Sequence, residues 1–371
     1  MNILAVILFL IFFVSILLGG HFFLYFSLVK FLSINASNAK IWLGGIFLFL
    51  SFSFILSSVL AHYSEGLLAR ITYSIFSFWL GLGWNLILSF LLVWLIIIIT
   101  TLTRQSFDHK YLVGVAILGA LVFSVWGAWN AYNPKIKNIT VEIKDLPETW
   151  KGKKVVQLSD VHLGHIYGKK FLNNLIKKIN KQQPMAVFIT GDLFDGMDGE
   201  LNGLVNPLKN IKTQQGVYFV TGNHETYLGV DKAALALEGT QIKILDDELV
   251  DVGGLQVLGI SYPERGEALD FTAKIKQIAD FNPQLPSILL YHNPNVAKSA
   301  KEAGISLQLA GHTHKGQIFP FQIITRLIYS KYHTGLTREG DFNIYTSAGT
   351  GTWGPMMRTS GRSEIVVINF K

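Results

Sequence analysis

Four apolar runs occupy the first third of this chain and limit what it can become: Ile3 to Val29, Ile41 to Ala61, Ile71 to Leu102 and Tyr111 to Tyr132. Each exceeds the roughly 18 uncharged residues that mark a helix able to cross a hydrocarbon core of about 30 Å. One buried helix of a soluble protein can imitate such a run, but four in succession predict transmembrane helices. The third is long enough to tilt or to include an interfacial turn near Gly81 to Asn85. The first has neither a basic n-region nor a small-residue cleavage site, so it is expected to be a retained anchor rather than a signal peptide.

Charge separates this third from the rest. Of 32 Lys and Arg and 25 Asp and Glu, residues 1–133 hold five basic residues and two acids, leaving 27 and 23 for the remainder. The first part is therefore a membrane region and the second has the balance of a soluble domain. We divide the chain into a four-helix transmembrane region at 1–133, a basic linker and entry strand at 134–153, and a large domain at 154–371. Four spans put the amino terminus and the large domain on the same side. Lys135, Lys137, Lys144, Lys151, Lys153 and Lys154 follow the last span, and the positive-inside rule then favours a cytoplasmic domain. The cluster fits either anionic head groups or a solvated linker. The net charge of +7 is divided +3 and +4 between the two parts, with no long basic block, so nucleic acid is not an expected partner. A lipid bilayer is.

Beyond the linker, short β-rich runs alternate with amphipathic stretches such as Lys169 to Asn180 and Ala268 to Asp280. This alternation predicts an α/β domain with mainly parallel central strands. What ends each strand is more informative. Val155 to Leu158 runs into Asp160 and His162, and Ala186 to Ile189 into Gly191-Asp192. Val217 to Val220 runs into Asn223-His224-Glu225, Ile288 to Tyr291 into His292, and Ser306 to Ala310 into His312 and His314. Ligands of open α/β sheets gather at the carboxyl ends of strands, and five such ends here deliver Asp, Asn or His. The chain has no cysteine, so the donors are imidazole, carboxylate and amide oxygen, a set suited to Mn, Fe or Zn. Seven donors exceed the needs of one ion and imply two, in the two-metal arrangement that clamps attacking and leaving oxygens in a displacement.

The series Asp160-x-His162, Gly191-Asp192, Gly222-Asn223-His224-Glu225, His292 and Gly311-His312-x-His314 resembles the calcineurin-like metallophosphoesterase superfamily across about residues 150–371. The runs Leu158 to Gly164, Gly311 to Ile318 and Gly351 to Ile368 are similar to its YkuE/YaeI-like membrane-associated phosphodiesterase branch. The resemblance implies a four-layer α/β/β/α sandwich. It further implies that Asp160, His162 and His314 hold one metal, that Asn223, His292 and His312 hold the other, and that Asp192 bridges them. His224 would be the general acid toward the leaving oxygen while a metal hydroxide attacks in line. Manganese is the expected ion, with iron or zinc as alternatives. Departures from the family pattern are Lys315 after the last histidine and Ser363 before Glu364.

Three further residues have two readings each. Lys315 can offer a cation to a phosphate or face water. His165 can line the cleft or sit on an exposed loop, and Arg358 can grip a phosphate with its fork or serve a structural pairing. The expected function is hydrolysis of a phosphodiester or pyrophosphate bond, in a lipid or lipid-linked head group or a phosphorylated small molecule. The alternatives are a soluble substrate such as a cyclic nucleotide, and a membrane scaffold that binds metal without catalysis. Trp353, Met356 and Met357 are apolar residues expected to meet a lipid.

Overall fold

The computed structural model describes residues 3–64, 66–105, 109–196, 201–263 and 270–371. Met1, Asn2, Glu65 and Asp108, which entered the charge balance or the reading of the first run, lie outside the described residues. The chain separates into two compact units, one of Met1–Trp129 with Gly354–Met357, the other of Asn130–Trp353 with Arg358–Lys371.

The first unit contains α1 (Ile3–Phe31), α2 (Ser37–Tyr63), α3 (Leu67–Leu102) and α4 (His109–Tyr132). Among the described residues these four helices are long and apolar enough to cross a membrane, and the chain is a membrane protein. Aromatic and aliphatic side chains such as Phe22, Trp42 and Leu92 face outward, as lipid-exposed helices require. Leu24, Phe31, Phe47, Phe90, Val93 and Val113 form the inner core. Several polar groups inside it are paired, although Asn85 Oδ1 has no hydrogen-bond partner among the described residues. His21 Nδ1 donates to the Leu17 carbonyl at 2.8 Å while Nε2 accepts from Trp79 Nε1 at 3.0 Å, and Asn85 Nδ2 donates to Ser124 Oγ at 2.8 Å.

No turn interrupts α3 at Gly81 to Asn85, and of the two expected alternatives the turn is removed: the helix is continuous for 36 residues. Gly81 serves a close approach instead, since a Cβ there would lie 2.5 Å from Met357 Cε. Met357 is fully buried, its sulfur 3.6 Å from Asn85 Nδ2, and Ser77 Oγ donates to the Gly354 carbonyl. Met357 therefore meets α3 rather than lipid.

In the second unit the strands are β1 (Lys135–Val141), β2 (Lys154–Leu158), β3 (Ala186–Thr190), β4 (Val217–Val220), β5 (Ile242–Ile244), β6 (Glu248–Val252), β7 (Leu255–Gly259), β8 (Ser287–Leu290), β9 (Leu307–Ala310), β10 (Gly335–Glu339), β11 (Phe342–Thr346) and β12 (Glu364–Phe370). Among the described residues they make two six-stranded mixed sheets, ordered β1-β12-β2-β3-β4-β5 and β10-β11-β9-β8-β7-β6. The helices are α5 (Lys169–Asn180), α6 (Leu201–Val205), α7 (Asn223–Leu228), α8 (Val230–Leu237), α9 (Phe271–Gln277), α10 (Ala297–Glu302) and α11 (Gln322–Tyr329). Ala268 and Leu269, where the second amphipathic stretch was expected to start, lie outside the described residues.

Alternation of side chains builds the layers. Along β3, Phe188 points between the sheets with Val220, Leu290, Leu309 and Ile368, whereas Val187 and Ile189 face the helical side. There they meet Phe171, Leu172, Leu175, Ile176 and Ile179, the apolar stripe of α5. On the other flank, Phe271 and Ile275 of α9 and Ala297 and Ala300 of α10 cover Leu258, Leu289 and Ile344. The result is the helix, sheet, sheet, helix sandwich. Pairs β2-β3, β3-β4, β7-β8 and β8-β9 are parallel, so β2, β3, β4, β8 and β9 release their chains toward one region.

Candidate metal centre

Sharp turns follow these strand ends, and the backbone records them. Asp160, His162, Asp192, His312 and His314 all have positive φ, between 47° and 70°. Left-handed backbone at non-glycine residues stores strain and concentrates at functional sites. The glycines between them allow close approach: a Cβ on Gly222 would lie 2.2 Å from Asp192 Oδ1, and one on Gly311 would lie 2.3 Å from Asp160 Oδ2.

The loops bring the seven expected donors into two clusters that meet at Asp192. In the first, His314 Nε2 lies 3.2 Å from Asp160 Oδ1 and 3.2 Å from His162 Nε2. In the second, His312 Nδ1 lies 2.9 Å from Asn223 Oδ1 and 3.3 Å from His292 Nε2. Asp192 Oδ2 stands 3.1 Å from His292 Nε2 and 3.9 Å from His162 Nε2. Donor atoms of Asp160, His162 and His314, of His162, Asp192 and His224, and of Asp192, His292 and His312 lie within 4.8 Å of one another in each group. Nitrogen and oxygen donors at this spacing, cradled by glycines, fit two divalent ions of the borderline class.

Electrostatics agree with that fit. Burial holds His162 and His314 well below the usual histidine range, helped by neighbouring cationic groups; burial and His292 push His312 down to about 3. Burial thus favours the neutral forms of these imidazoles, which offer lone pairs. Burial alone would raise Asp192, but His292 and the other imidazoles outweigh it and hold the carboxylate well below its ordinary value. Burial works against charge on His292 as well, yet Asp192 prevails and raises it to about 10. His292 Nδ1–H donates to the Thr190 carbonyl at 2.7 Å, so Nε2 is the nitrogen that could face a cation. Burial, with the charge of Asp192, pushes Asp160 up to about 6, although His292 acts the other way.

His224 lies beside both clusters. Its Nδ1–H donates to the Asp195 carbonyl at 2.8 Å, and its backbone N–H donates to Asp192 Oδ1 at 2.9 Å. A carbonyl only accepts, so the bond fixes the tautomer and leaves Nε2 for other work. Its ring stands edge-on to His162 at 4.6 Å between centroids and to Trp353 at 5.6 Å.

The three remaining candidates belong to neither donor cluster, though Arg358 touches one donor. Arg358 is buried, and its guanidinium donates to the Gly351 carbonyl and to the His314 carbonyl at 3.0 Å, with Nη2 3.1 Å from His314 Nδ1. Its fork is directed into the protein and braces a site histidine. Lys315 is half-buried alongside Gly361, and His165 is half-buried in the loop between Leu163 and Tyr167.

Two carboxylates were given no role by the sequence reading. Glu225 accepts from the backbone N–H groups of Asp192 at 2.9 Å, Phe194 at 3.0 Å and Gly222 at 2.7 Å, tying the β3 loop to the β4 loop. Its place three residues after Gly222, at the start of α7, was the available signal. Burial and the charge of Asp192 raise it to about 7. Asp195 Oδ1 lies 3.6 Å from His162 Nδ1, which has no hydrogen-bond partner among the described residues. Such outer groups orient metal ligands, and their loss costs about 10- to 100-fold in metal affinity. Glu225→Gln is expected to weaken manganese binding in that range, measured by titration calorimetry; unchanged affinity in a folded variant would remove Glu225 from this role.

A family model described as calcineurin-like phosphoesterase matches residues 153–316. An uncharacterized metallophosphoesterase of Campylobacter jejuni is 36% identical over 264 residues, covering 68% of this chain and 69% of that protein. A transmembrane protein with metallophosphoesterase domain from Danio rerio is 32% identical, over 69% of this chain and 62% of the relative. YkuE of Bacillus subtilis, an uncharacterized metallophosphoesterase, is 28% identical, over 62% and 84% respectively. Matches to two Helicobacter pylori metallophosphoesterases span 63% of their length, so the chain spans about two thirds of several curated relatives.

Proposed function

The chain belongs to the calcineurin-like metallophosphoesterase family, and from that premise we propose that it hydrolyses a phosphodiester or pyrophosphate bond in a lipid or lipid-linked head group. It is a metal-dependent phosphoesterase in a membrane protein; the substrate and the residue roles are the proposed part. The reading is carried by the meeting of two donor clusters at Asp192, with His224 against both.

Two divalent ions, manganese in this proposal, supply when bound the positive charge that favours ionisation of a water and neutralises phosphoryl oxygens. Asp160, His162 and His314 would hold one, Asn223, His292 and His312 the other, and Asp192 both. His224, with Nδ1 fixed by the Asp195 carbonyl, can carry a proton on Nε2 and release it to the leaving oxygen. Glu225 would hold the ligand loops together and Arg358 would keep His314 in place, with Asp195 beside His162. The half-exposed rings of Tyr227 and Trp353 flank His224 and offer an apolar rim to the substrate.

A lipid substrate is favoured because four helices are apolar enough to cross a membrane and Asn133 and Pro134 alone separate α4 from β1. The basic residues after α4 support a cytoplasmic catalytic unit. Assays of the full chain in detergent with manganese would compare dispersed lipid phosphodiesters and pyrophosphates with cyclic nucleotides. The expected kcat/KM is at least about tenfold higher for the lipid class, a preference of about 1.4 kcal/mol in the transition state. Equal or better turnover of cyclic nucleotides overturns the lipid assignment. Hydrolysis of neither by manganese-loaded protein favours the scaffold reading.

A further inference from the structure

Helix α11 is apolar on the wrong side for a helix that faces water. Gln322, Thr325 and Tyr329 turn toward the protein: Gln322 Oε1 accepts from Ser360 Oγ at 2.7 Å, and the Tyr329 ring meets His312 edge-on at 6.1 Å. Ile323, Ile324, Leu327 and Ile328 face outward, 50–79% exposed, and Phe319 and Phe321 extend the same exposed surface. A solvated surface helix has the reverse distribution. Cations lie next to this patch. Arg326 is exposed on the helix, and Arg326 and Lys315 both add to burial in lowering the nearby His333. An outward aliphatic face edged by cations matches the apolar and anionic layers of a membrane surface, and the chain is itself a membrane protein.

We propose that α11 is an interfacial element that seats its Ile323, Ile324, Leu327 and Ile328 face in an anionic bilayer, with Arg326 and Lys315 at the lipid phosphates. The inference goes beyond the phosphoesterase reading and is independent of turnover. Tyr329 against His312, and Gly316 packed on Phe321 and Gln322, connect the seated helix to the donor loop of His312 and His314, so the cleft would open at lipid depth.

The chain has no cysteine, so single cysteines can be introduced at exposed positions and labelled cleanly. Full-length Leu327→Cys and Ile323→Cys, each carrying bimane, are placed in nanodiscs of mixed phosphatidylcholine and phosphatidylglycerol. Quenching by lipids with an acyl-chain nitroxide is compared with quenching by aqueous iodide. Lipid quenching about twofold or more above iodide quenching is expected at both positions. It should fall on the Leu327→Cys chain when Arg326→Glu is added or phosphatidylglycerol is omitted. Access to iodide without lipid quenching overturns the proposal. Shielding from both quenchers, or disulfide-linked dimers through Leu327→Cys, assigns the face to protein contact and overturns it too. Failure of the lipid-substrate reading would leave the quenching result unchanged.

Discussion

Asp192→Asn is expected to lower phosphodiester hydrolysis by more than about 100-fold, because even outer residues of metal sites cost about 10- to 100-fold and this carboxylate would touch both ions. The substitution keeps the shape and leaves Oδ1 able to accept from the His224 N–H, now 2.9 Å away. What disappears is the charge between His292 and His162, at 3.1 and 3.9 Å. Without that charge, two clusters of neutral donors would have to hold four positive charges with Asp160 as the remaining first-rank carboxylate. Elemental analysis of the purified variant should therefore show less than the full complement of manganese while circular dichroism stays native. A variant that keeps two ions and its activity would refute the shared-ligand role.

His224→Ala should separate chemistry from metal binding. A general acid contributes about 100- to 10,000-fold, and His224 belongs to neither set of three assigned ligands around Asp192. We expect kcat to fall within that range with manganese content unchanged. The loss should shrink for a p-nitrophenyl ester, whose leaving oxygen needs no proton. His224→Asn serves as a second variant that leaves less of a void beside His162 and Trp353. Equal losses for poor and good leaving groups, or release of metal, would assign His224 to the ligand set instead.

The fold and the donor loops were legible because each advertises itself locally. A run such as Val155 to Leu158 followed by Asp160 and His162 signals both a buried strand and a side chain with metal chemistry. Glu225 and Arg358 were not legible as braces, since their partners are backbone groups that every residue carries. The fork of Arg358 looks the same in sequence whether it grips a phosphate or the His314 carbonyl. Gly81 was ambiguous for a different reason: glycine marks a turn or a close contact equally, and only the position of Met357 decides between them. In α11, eight residues are too few for periodicity to reveal which side faces out.

Gly354–Met357 group with the helices although Trp353 and Arg358 on either side belong to the catalytic unit. This arrangement has a consequence for biosynthesis. The last span is complete at Tyr132, but the segment that fills the space at Gly81 arrives at residues 354–357 of 371. At about 5–20 residues per second the interval is on the order of tens of seconds. During that time the inserted helices lack one of their own packing partners. A ribosome stalled before residue 354 should thus carry spans that are already in the bilayer but whose unit is still unfinished.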